Sequence, residues 1–181
     1  ENAFIHANEA MELSKKIDYQ YGIANSHEKR GLIYRYQWFY DKALAESDSA
    51  LSLATERDYS LFASIFTNRG ACYRYKSEYE AALSAYQQAL DYQRLAENRD
   101  GEATVLNSMG VVFMYLEDYN KALDYYGNSM EILETTNNLK NKANTLNNFA
   151  IVYANQGKLD SALVYFQKSL KIEHELGNEK G

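Results

Sequence analysis

The sequence predicts an all-α protein in which four helical hairpins repeat along the chain, with one further helix before them. The main evidence is a short motif, a small residue followed three positions later by an aromatic residue, whose copies are 39, 40 and 40 residues apart. A fixed period of this length is the mark of a repeat architecture. The chain also contains no proline among 181 residues, which favours long, uninterrupted helices. The copies of the motif are Gly31 to Tyr34, Gly70 to Tyr73, Gly110 to Phe113 and Ala150 to Tyr153.

The first predicted element is a helix without a partner. Residues 1–16 place three alanines 40 residues before the small residues of the next predicted second helix. We therefore expect residues 1–16 to be the second helix of a truncated repeat, and the sequence to be a fragment of a larger protein. The matching pairs are Ala3 with Ala43, Ala7 with Ser47 and Ala10 with Ala50.

Each later element is predicted to be a hairpin, in which two blocks of apolar residues at helical spacing are joined by a short polar turn. In the third copy the apolar residues up to Leu116 are followed by Glu117 and Asp118, and the second block starts at Tyr119. An alanine stands twelve residues after each small residue, where two helix backbones would approach closely. The predicted repeats are residues 18–56, 58–96, 98–136 and 138–177, and together with residues 1–16 they form a single array over residues 1–181.

The composition excludes several classes of partner. Nineteen Lys and Arg side chains against 25 Asp and Glu give a net charge of −6, so the chain has no general electrostatic attraction to nucleic acid. The mean hydropathy is −0.55, and no apolar run approaches the ~18 residues that cross a bilayer. We expect neither nucleic acid nor a membrane to be a partner of this segment.

No constellation of residues points to catalysis. The three histidines, His6, His27 and His174, lie at unrelated positions of the repeat and lack metal-ligand spacing. The single cysteine, Cys72, stands where the other repeats have Ile or Val, so it is predicted to be a core residue rather than a nucleophile. The nine glycines form no phosphate-binding motif. We expect a chain that is not itself an enzyme and that uses no metal and no cofactor.

The Gly-x-x-Tyr motif, with alanine at a fixed offset of twelve, resembles the tetratricopeptide repeat (TPR). The period near 40, against about 34 in the family, and the missing proline resemble the longer repeats of bacterial peptide-responsive regulators and of TPR segments in sensor histidine kinases. The resemblance implies a right-handed α-α superhelix, a TPR-like solenoid, with the first helices on its concave face. It also implies a non-catalytic module that binds a protein or an extended peptide in that groove, as the sensory or scaffolding part of a bacterial signalling protein.

Two other functions stay open. One is a structural solenoid that self-associates through its truncated ends. The other is the input domain of a histidine kinase or transcriptional regulator, whose activity lies elsewhere in the parent protein. The compartment stays open too, cytoplasmic or periplasmic, although the resemblance slightly favours a periplasmic sensor segment.

The resemblance places a ladder of amide and hydroxyl side chains in the candidate peptide-binding groove. Asparagine has both a donor and an acceptor, so regularly spaced copies can bond the backbone of an extended peptide. The same side chains could instead cap helices or join neighbouring repeats, and both interpretations stay open. The ladder comprises Thr67, Asn68, Asn107, Asn147 and Asn148.

The groove also contains a stripe of tyrosines beside arginines. Tyrosine offers a large contact area and arginine binds carboxylates through two parallel hydrogen bonds, so this surface suits an acidic or C-terminal peptide. Arg30 and Arg69, nearby, are as well explained by pairing with Asp or Glu between repeats. The stripe comprises Arg35, Tyr36, Arg74, Tyr75, Met114 and Tyr115, with Asn155 at the tyrosine position of the last repeat.

One predicted turn is unusually apolar. Trp38, Phe39 and Tyr40 fill a turn that is polar in the next two copies. Large apolar side chains on a turn either mark a contact surface or pack against a neighbouring element. We prefer the second interpretation, in which they pack against the opening helix.

Overall fold

The computed structural model describes residues 2–178, which form α-helices connected by short turns. Within these residues the predicted fold class is confirmed: the fold is all-α, with four helical hairpins of the TPR-like solenoid class preceded by one helix. The helices are α1 (Asn2–Lys16), α2 (Gln20–Tyr36), α3 (Tyr40–Leu53), α4 (Tyr59–Tyr75), α5 (Tyr79–Leu95), α6 (Arg99–Tyr115), α7 (Tyr119–Thr136), α8 (Leu139–Asn155) and α9 (Leu159–Asn178).

The helices belong to two compact units. The first unit ends at Glu97 and contains α1 to α5, and the second begins at Asn98 and contains α6 to α9. Within the first unit α2 packs on α3 and α4 packs on α5, and the two hairpins meet through α3 and α4. The second unit repeats this arrangement, with α6 on α7, α8 on α9, and α7 against α8. Each unit therefore contains two hairpins packed side by side.

The first helix of each hairpin ends without proline because the backbone then passes through a left-handed residue. One residue after the C-cap, φ lies between 60° and 75°. The following N–H donates to the carbonyl five residues back, as from Phe39 to Tyr34 at 2.9 Å. This is the Schellman arrangement, which satisfies carbonyl groups at a helix end and favours glycine at the left-handed position. The left-handed residues are Trp38, Ser77, Glu117 and Gly157.

Two glycines of the motif, Gly70 and Gly110, make room for aromatic rings from the second helix of the same hairpin. A Cβ atom added at Gly70 would lie 2.6 Å from the ring of Tyr86, and one at Gly110 would lie 2.4 Å from the ring of Tyr126. Both rings are almost fully buried, with exposures of 1% and 0%. A residue with a side chain would therefore push the two helices apart.

Buried serine hydroxyls add hydrogen bonds between the helices of the second unit. Ser129 on α7 donates to the carbonyl of Ala103 on α6 at 2.8 Å. Ser169 on α9 donates to the carbonyl of Ala143 on α8 at 2.9 Å. The two serines occupy the same repeat position, so both hairpins of this unit are joined in the same way.

Candidate functional site

The predicted tyrosine stripe lies on the surface. Tyr36, Tyr75 and Tyr115 are each the last residue of the first helix of a hairpin. Their exposed fractions are 69%, 46% and 54%. Tyr36 and Tyr75 belong to the first unit and Tyr115 to the second, so each unit presents its own part of the stripe.

In the first unit each exposed tyrosine is paired with the arginine that precedes it. The guanidinium carbon of Arg35 lies 4.5 Å from the centre of the Tyr36 ring, and that of Arg74 lies 4.2 Å from the Tyr75 ring. Such cation–π contacts hold the arginines against the rings. Arg35 also donates through Nε to Oδ1 of Asn68 at 2.6 Å, so its position is fixed by a second helix.

Arg35 and Arg74 differ from Arg30 and Arg69 in having no carboxylate partner among the described residues. Burial disfavours the charged form of Arg74, but hydrogen bonds to the Tyr75 and Tyr86 side chains outweigh it, and the pKa of Arg74 lies above its usual range. Arg74 therefore stays charged. By contrast, Arg30 binds Glu46 at 2.7 Å and Arg69 binds Asp48. The predicted pairing between repeats is confirmed for Arg69, whereas Arg30 pairs with a glutamate of its own hairpin, because Glu46 lies on α3 beside α2.

Trp38 does not pack against the opening helix, so the preferred interpretation of this residue is wrong. Its side chain is 73% exposed, and its ring centre lies 6.2 Å from that of Tyr75 on α4. Tyr40 stacks on the same Tyr75 ring: the two ring centres are 5.5 Å apart and the ring planes are nearly parallel. Phe39 turns towards Tyr34 instead, at 6.5 Å. We call Tyr36, Trp38, Tyr75, Arg35 and Arg74 the aromatic surface.

The predicted amide ladder is partly engaged in bonds inside each unit. Asn68 is 4% exposed and accepts the bond from Arg35, while Thr67 donates to the carbonyl of Ala63 in its own helix at 2.7 Å. In the second unit Asn148 Nδ2 donates to Asn107 Oδ1 at 2.9 Å, which joins α8 to α6. These four side chains thus make the local or inter-repeat bonds that the sequence left open as an alternative.

The remaining predicted site residues are accessible parts of the second unit. Met114 and Asn147 are half-buried and Asn155 is exposed at the end of α8. Close to the Asn107 amide, Asn141 Nδ2 donates to Thr104 Oγ1 at 3.0 Å across α8 and α6. The predicted site residues of this unit are therefore uncharged and mostly amides, whereas those of the first unit include arginine.

Sequence analysis missed a buried polar cluster in the first unit. Glu28 is 3% exposed and accepts a hydrogen bond from Ser64 at 2.5 Å. On the preceding residue, His27 Nδ1 lies 2.7 Å from Glu46 on α3. A glutamate on the inward side of a first helix is the signal that could have revealed it. The cluster links α2, α3 and α4, so it supports the packing of the hairpins.

The described residues contain no cluster of three or more His, Cys, Asp or Glu side chains that could hold a metal ion. Within residues 2–178, no helix has the length and apolar character needed to cross a membrane. Cys72 is fully buried, and burial raises the pKa of its thiol to about 11. Its thiolate, the reactive form, is therefore scarce at neutral pH.

The fold is similar to several solved structures. BtubC (BKLC) from P. vanneervenii has a TM-score of 0.79 at 19% identity, over 96% of this chain and 73% of that one. Aspartyl phosphate phosphatase F from Bacillus subtilis has a TM-score of 0.82 at 17% identity, over 87% of this chain but only 42% of the phosphatase. RapI, in its apo form, has a TM-score of 0.76 at 21% identity, over 86% of this chain and 57% of RapI. At these identities the likeness establishes the fold alone.

The sequence comparisons agree with the fold. No curated protein matches the sequence significantly. Two family models described as tetratricopeptide repeat match it, one over residues 101–173 and the other over residues 63–94. Together the two ranges cover more than half of the chain, one in each compact unit. With the helical hairpins and the motif glycines packed against buried tyrosine rings, they show that the chain belongs to the tetratricopeptide repeat family.

Proposed function

We propose that the chain is a non-catalytic module that binds an extended acidic peptide segment of a partner protein on the aromatic surface of its first unit. Tetratricopeptide repeats are protein-interaction modules, so protein or peptide partners are the general expectation for this chain. The observation that carries the more specific proposal is Trp38, a strained and exposed tryptophan beside two arginines.

Trp38 combines an unfavourable backbone conformation with an exposed side chain. Its φ of 68° lies in the left-handed region, which costs a bulky residue on the order of 1 kcal/mol or more. Gly157 stands at the same position of the fourth hairpin and adopts this conformation without that cost. The Trp38 side chain gains little burial in return, since it is 73% exposed. A residue that is strained and also exposed is a good candidate for a binding contact.

The charges of the aromatic surface favour an acidic partner. Arg35 and Arg74 have no carboxylate partner among residues 2–178, and their side chains are already ordered by the tyrosine rings. Lys76, close by, is different: hydrogen bonds to Asp41 and Glu78 raise its pKa to about 12 and satisfy its charge. Ordered arginines lose less conformational entropy on binding a carboxylate than free ones do.

We propose that the second unit by itself also offers peptide contacts, in which exposed or half-buried amides bond the backbone of an extended peptide. Asn147 and Asn155 have accessible amides, and Tyr115 and Met114 offer contact area beside them. Asn68, Asn107 and Asn148 contribute by holding neighbouring helices in register, whereas the Thr67 hydroxyl is bonded within its own helix.

The test begins with an array of ten-residue peptides rich in Asp and Glu, each with a matched peptide in which Asn and Gln replace the acids. The sole tryptophan of the chain is Trp38, so its fluorescence reports binding at the aromatic surface directly. From the change in this fluorescence, we expect acidic peptides to bind at least fivefold more tightly than their amide counterparts. Equal binding of the two sets would refute the proposal.

Two matched variants separate binding from stability. Trp38→Gly should raise the thermal stability of the chain and weaken peptide binding measured by calorimetry. Glu117→Gly changes the same left-handed position in the second unit, so it should raise stability in the same way and leave binding unchanged. Unchanged affinity in the Trp38 variant would contradict the proposed site.

A second candidate function, self-association, is supported by an apolar stripe on α9. Leu159, Leu163, Phe166 and Leu170 follow helical spacing and are between 42% and 69% exposed. Faces of this kind are buried against another helix or another chain in many proteins. Light scattering over a range of concentrations, with Leu163→Glu as the control, tests this function. A concentration-independent monomer would exclude it.

We propose that the chain is the sensory or scaffolding part of a bacterial signalling protein. The resemblance of the 40-residue repeats to those of bacterial regulators supports this role. One form of the role is the input domain of a histidine kinase or transcriptional regulator. Sequencing the gene on either side of this segment tests the proposed role in signalling. A kinase or regulator domain there would support that role, and an unrelated domain would contradict it.

A further inference from the structure

A cleft in the second unit lies apart from the aromatic surface and contains none of the residues predicted for the groove. It has a volume of about 600 Å³ and lies where the end of α7, the start of α8 and the last turns of α9 meet. Its apolar lining comes from all three helices and includes Met130, Leu146, Phe149 and Ile172. Clefts of this size with mainly apolar walls are typical of small-molecule sites.

Three aromatic rings of the second hairpin have smaller or polar counterparts in the fourth hairpin, where the cleft lies. In the second hairpin Phe62 and Phe66 on α4 both stack on Tyr92 on α5, with ring centres 4.8 and 5.7 Å apart. Eighty residues later, at the same repeat positions, the chain has Lys142, Leu146 and Ile172. An aromatic stack thus fills this place in one hairpin, whereas the other leaves an opening with an aliphatic floor.

The rim of the cleft carries three lysines. Lys142 and Lys171 form no ion pair with any residue from 2 to 178, and Lys168 lies over the ring of Tyr165 with Nζ 5.1 Å from its centre. Glu134 and Glu175 also stand at the rim, so the local balance is positive by one charge. Unpaired ammonium groups beside an apolar floor suit a ligand with a single negative charge at one end.

We propose that this cleft binds a monocarboxylate with an aliphatic body, of the class of medium-chain fatty acids. The aliphatic chain lies on the floor formed by Leu146 and Ile172, and the carboxylate lies at the rim between Lys142 and Lys171. The two rim glutamates disfavour ligands with a second negative charge near them. This site is independent of the proposed peptide-binding function, because it uses other residues in the other unit.

The test uses decanoate as the probe, with the intact chain and concentrations below the onset of micelles. Calorimetry and nuclear magnetic resonance shifts of backbone amides measure affinity and location. The matched probes are decanol, which has the same chain without charge, and decyltrimethylammonium, which carries the opposite charge. We expect decanoate to bind at least tenfold more tightly than either, with the largest shifts in α8 and α9.

The chain offers its own control for closing the cleft. The triple variant Lys142→Phe, Leu146→Phe and Ile172→Tyr introduces the aromatic residues of the second hairpin, where they pack in the same fold. It should keep the helical circular dichroism of the parent chain and lose at least tenfold in affinity for decanoate. Lys171→Gln tests the rim without touching the packing, and it should weaken decanoate at least threefold and leave decanol unchanged.

Several results would overturn the proposal. Equal affinity for decanoate and decanol would show that the lysines play no part in recognition. Undiminished decanoate binding by a folded triple variant would place the ligand elsewhere. If that variant does not fold, undiminished decanoate binding by Lys171→Gln has the same consequence. Binding of an acidic helical peptide to the cleft, with no binding of decanoate, would assign it to a protein partner instead. None of these outcomes affects the peptide test at Trp38.

Discussion

Replacing Gly110 by alanine tests the packing on which the repeat depends. Gly110 lies in the interior of α6, and a Cβ atom there would be 2.4 and 2.6 Å from two carbons of the Tyr126 ring and 3.2 Å from the carbonyl oxygen of Ala122. The Tyr126 ring is fully buried, so it has no free space into which to move. The substitution must therefore separate α6 from α7.

Two opposing effects determine the size of the change. Alanine is favoured over glycine in a helix interior by about 1 kcal/mol. Overpacking a filled core costs about 1–3 kcal/mol, and a contact this short belongs at the upper end of that range. We expect Gly110→Ala to lower the free energy of unfolding by about 1–2 kcal/mol.

Gly127→Ala is the matched control, because Gly127 lies in the interior of α7 and a Cβ atom there meets nothing within 4 Å. This variant should raise the free energy of unfolding by up to about 1 kcal/mol through helix propensity alone. Urea unfolding followed by circular dichroism measures both variants under the same conditions. The two should differ by about 2 kcal/mol or more.

The reasoning would be refuted by a Gly110 variant as stable as the parent chain or as stable as the Gly127 variant. A second test removes the ring itself. In a Tyr126→Leu background, adding Gly110→Ala should become neutral or stabilising, because the clash no longer exists. Additive effects of the two substitutions would mean that the glycine is needed for another reason. The fourth hairpin supports the expectation, since it combines Ala150 with Phe166, whose ring is 42% exposed.

Three further predictions use single residues. Cys72 in the folded chain should resist alkylation at pH 8 and react only on unfolding or as the pH approaches its pKa of about 11. Because that pKa is raised by burial, the stability associated with the neutral thiol is present below pH 9 and is lost as the pH rises towards 11, and Cys72→Val should remove this loss. Ser129→Ala should lower the free energy of unfolding by about 1 kcal/mol, measured in urea, because it removes the buried bond to the Ala103 carbonyl. Trp38→Gly should raise the free energy of unfolding by about 1 kcal/mol, because it relieves the strain of the left-handed backbone. A higher melting temperature measures this gain.

The repeat and its helices could be predicted because the signals for them are local. The small residue and the aromatic residue three positions later recur within a single helix, and the apolar spacing identifies that helix without knowledge of its neighbours. Gly110 was placed correctly at a close helix contact for the same reason. The sequence did not show which ring occupies the space, since Tyr126 lies sixteen residues away on another helix.

The candidate site was only partly predictable, because a polar side chain at a given repeat position can bond a ligand or a neighbouring helix. Asn107 and Asn148 bond each other, and Asn68 bonds Arg35, whereas Asn147 stays accessible. These four asparagines occupy two adjacent repeat positions, so sequence spacing could not distinguish the bonded amides from the accessible one. The difference depends on what the adjacent helix offers at hydrogen-bond distance.

By itself, the sequence determined the helical class, the 40-residue period and the family, because these depend on residue spacing within helices and on the residues that end them. Only the tertiary structure decided which side chains remain available to a ligand. Trp38 contacts Tyr75 on another helix and remains 73% exposed. The lysine-rimmed cleft is formed by three helices, and its floor combines Leu146 of α8 with Ile172 of α9. Both features arise from pairs of residues distant in sequence, whose combination no local pattern records.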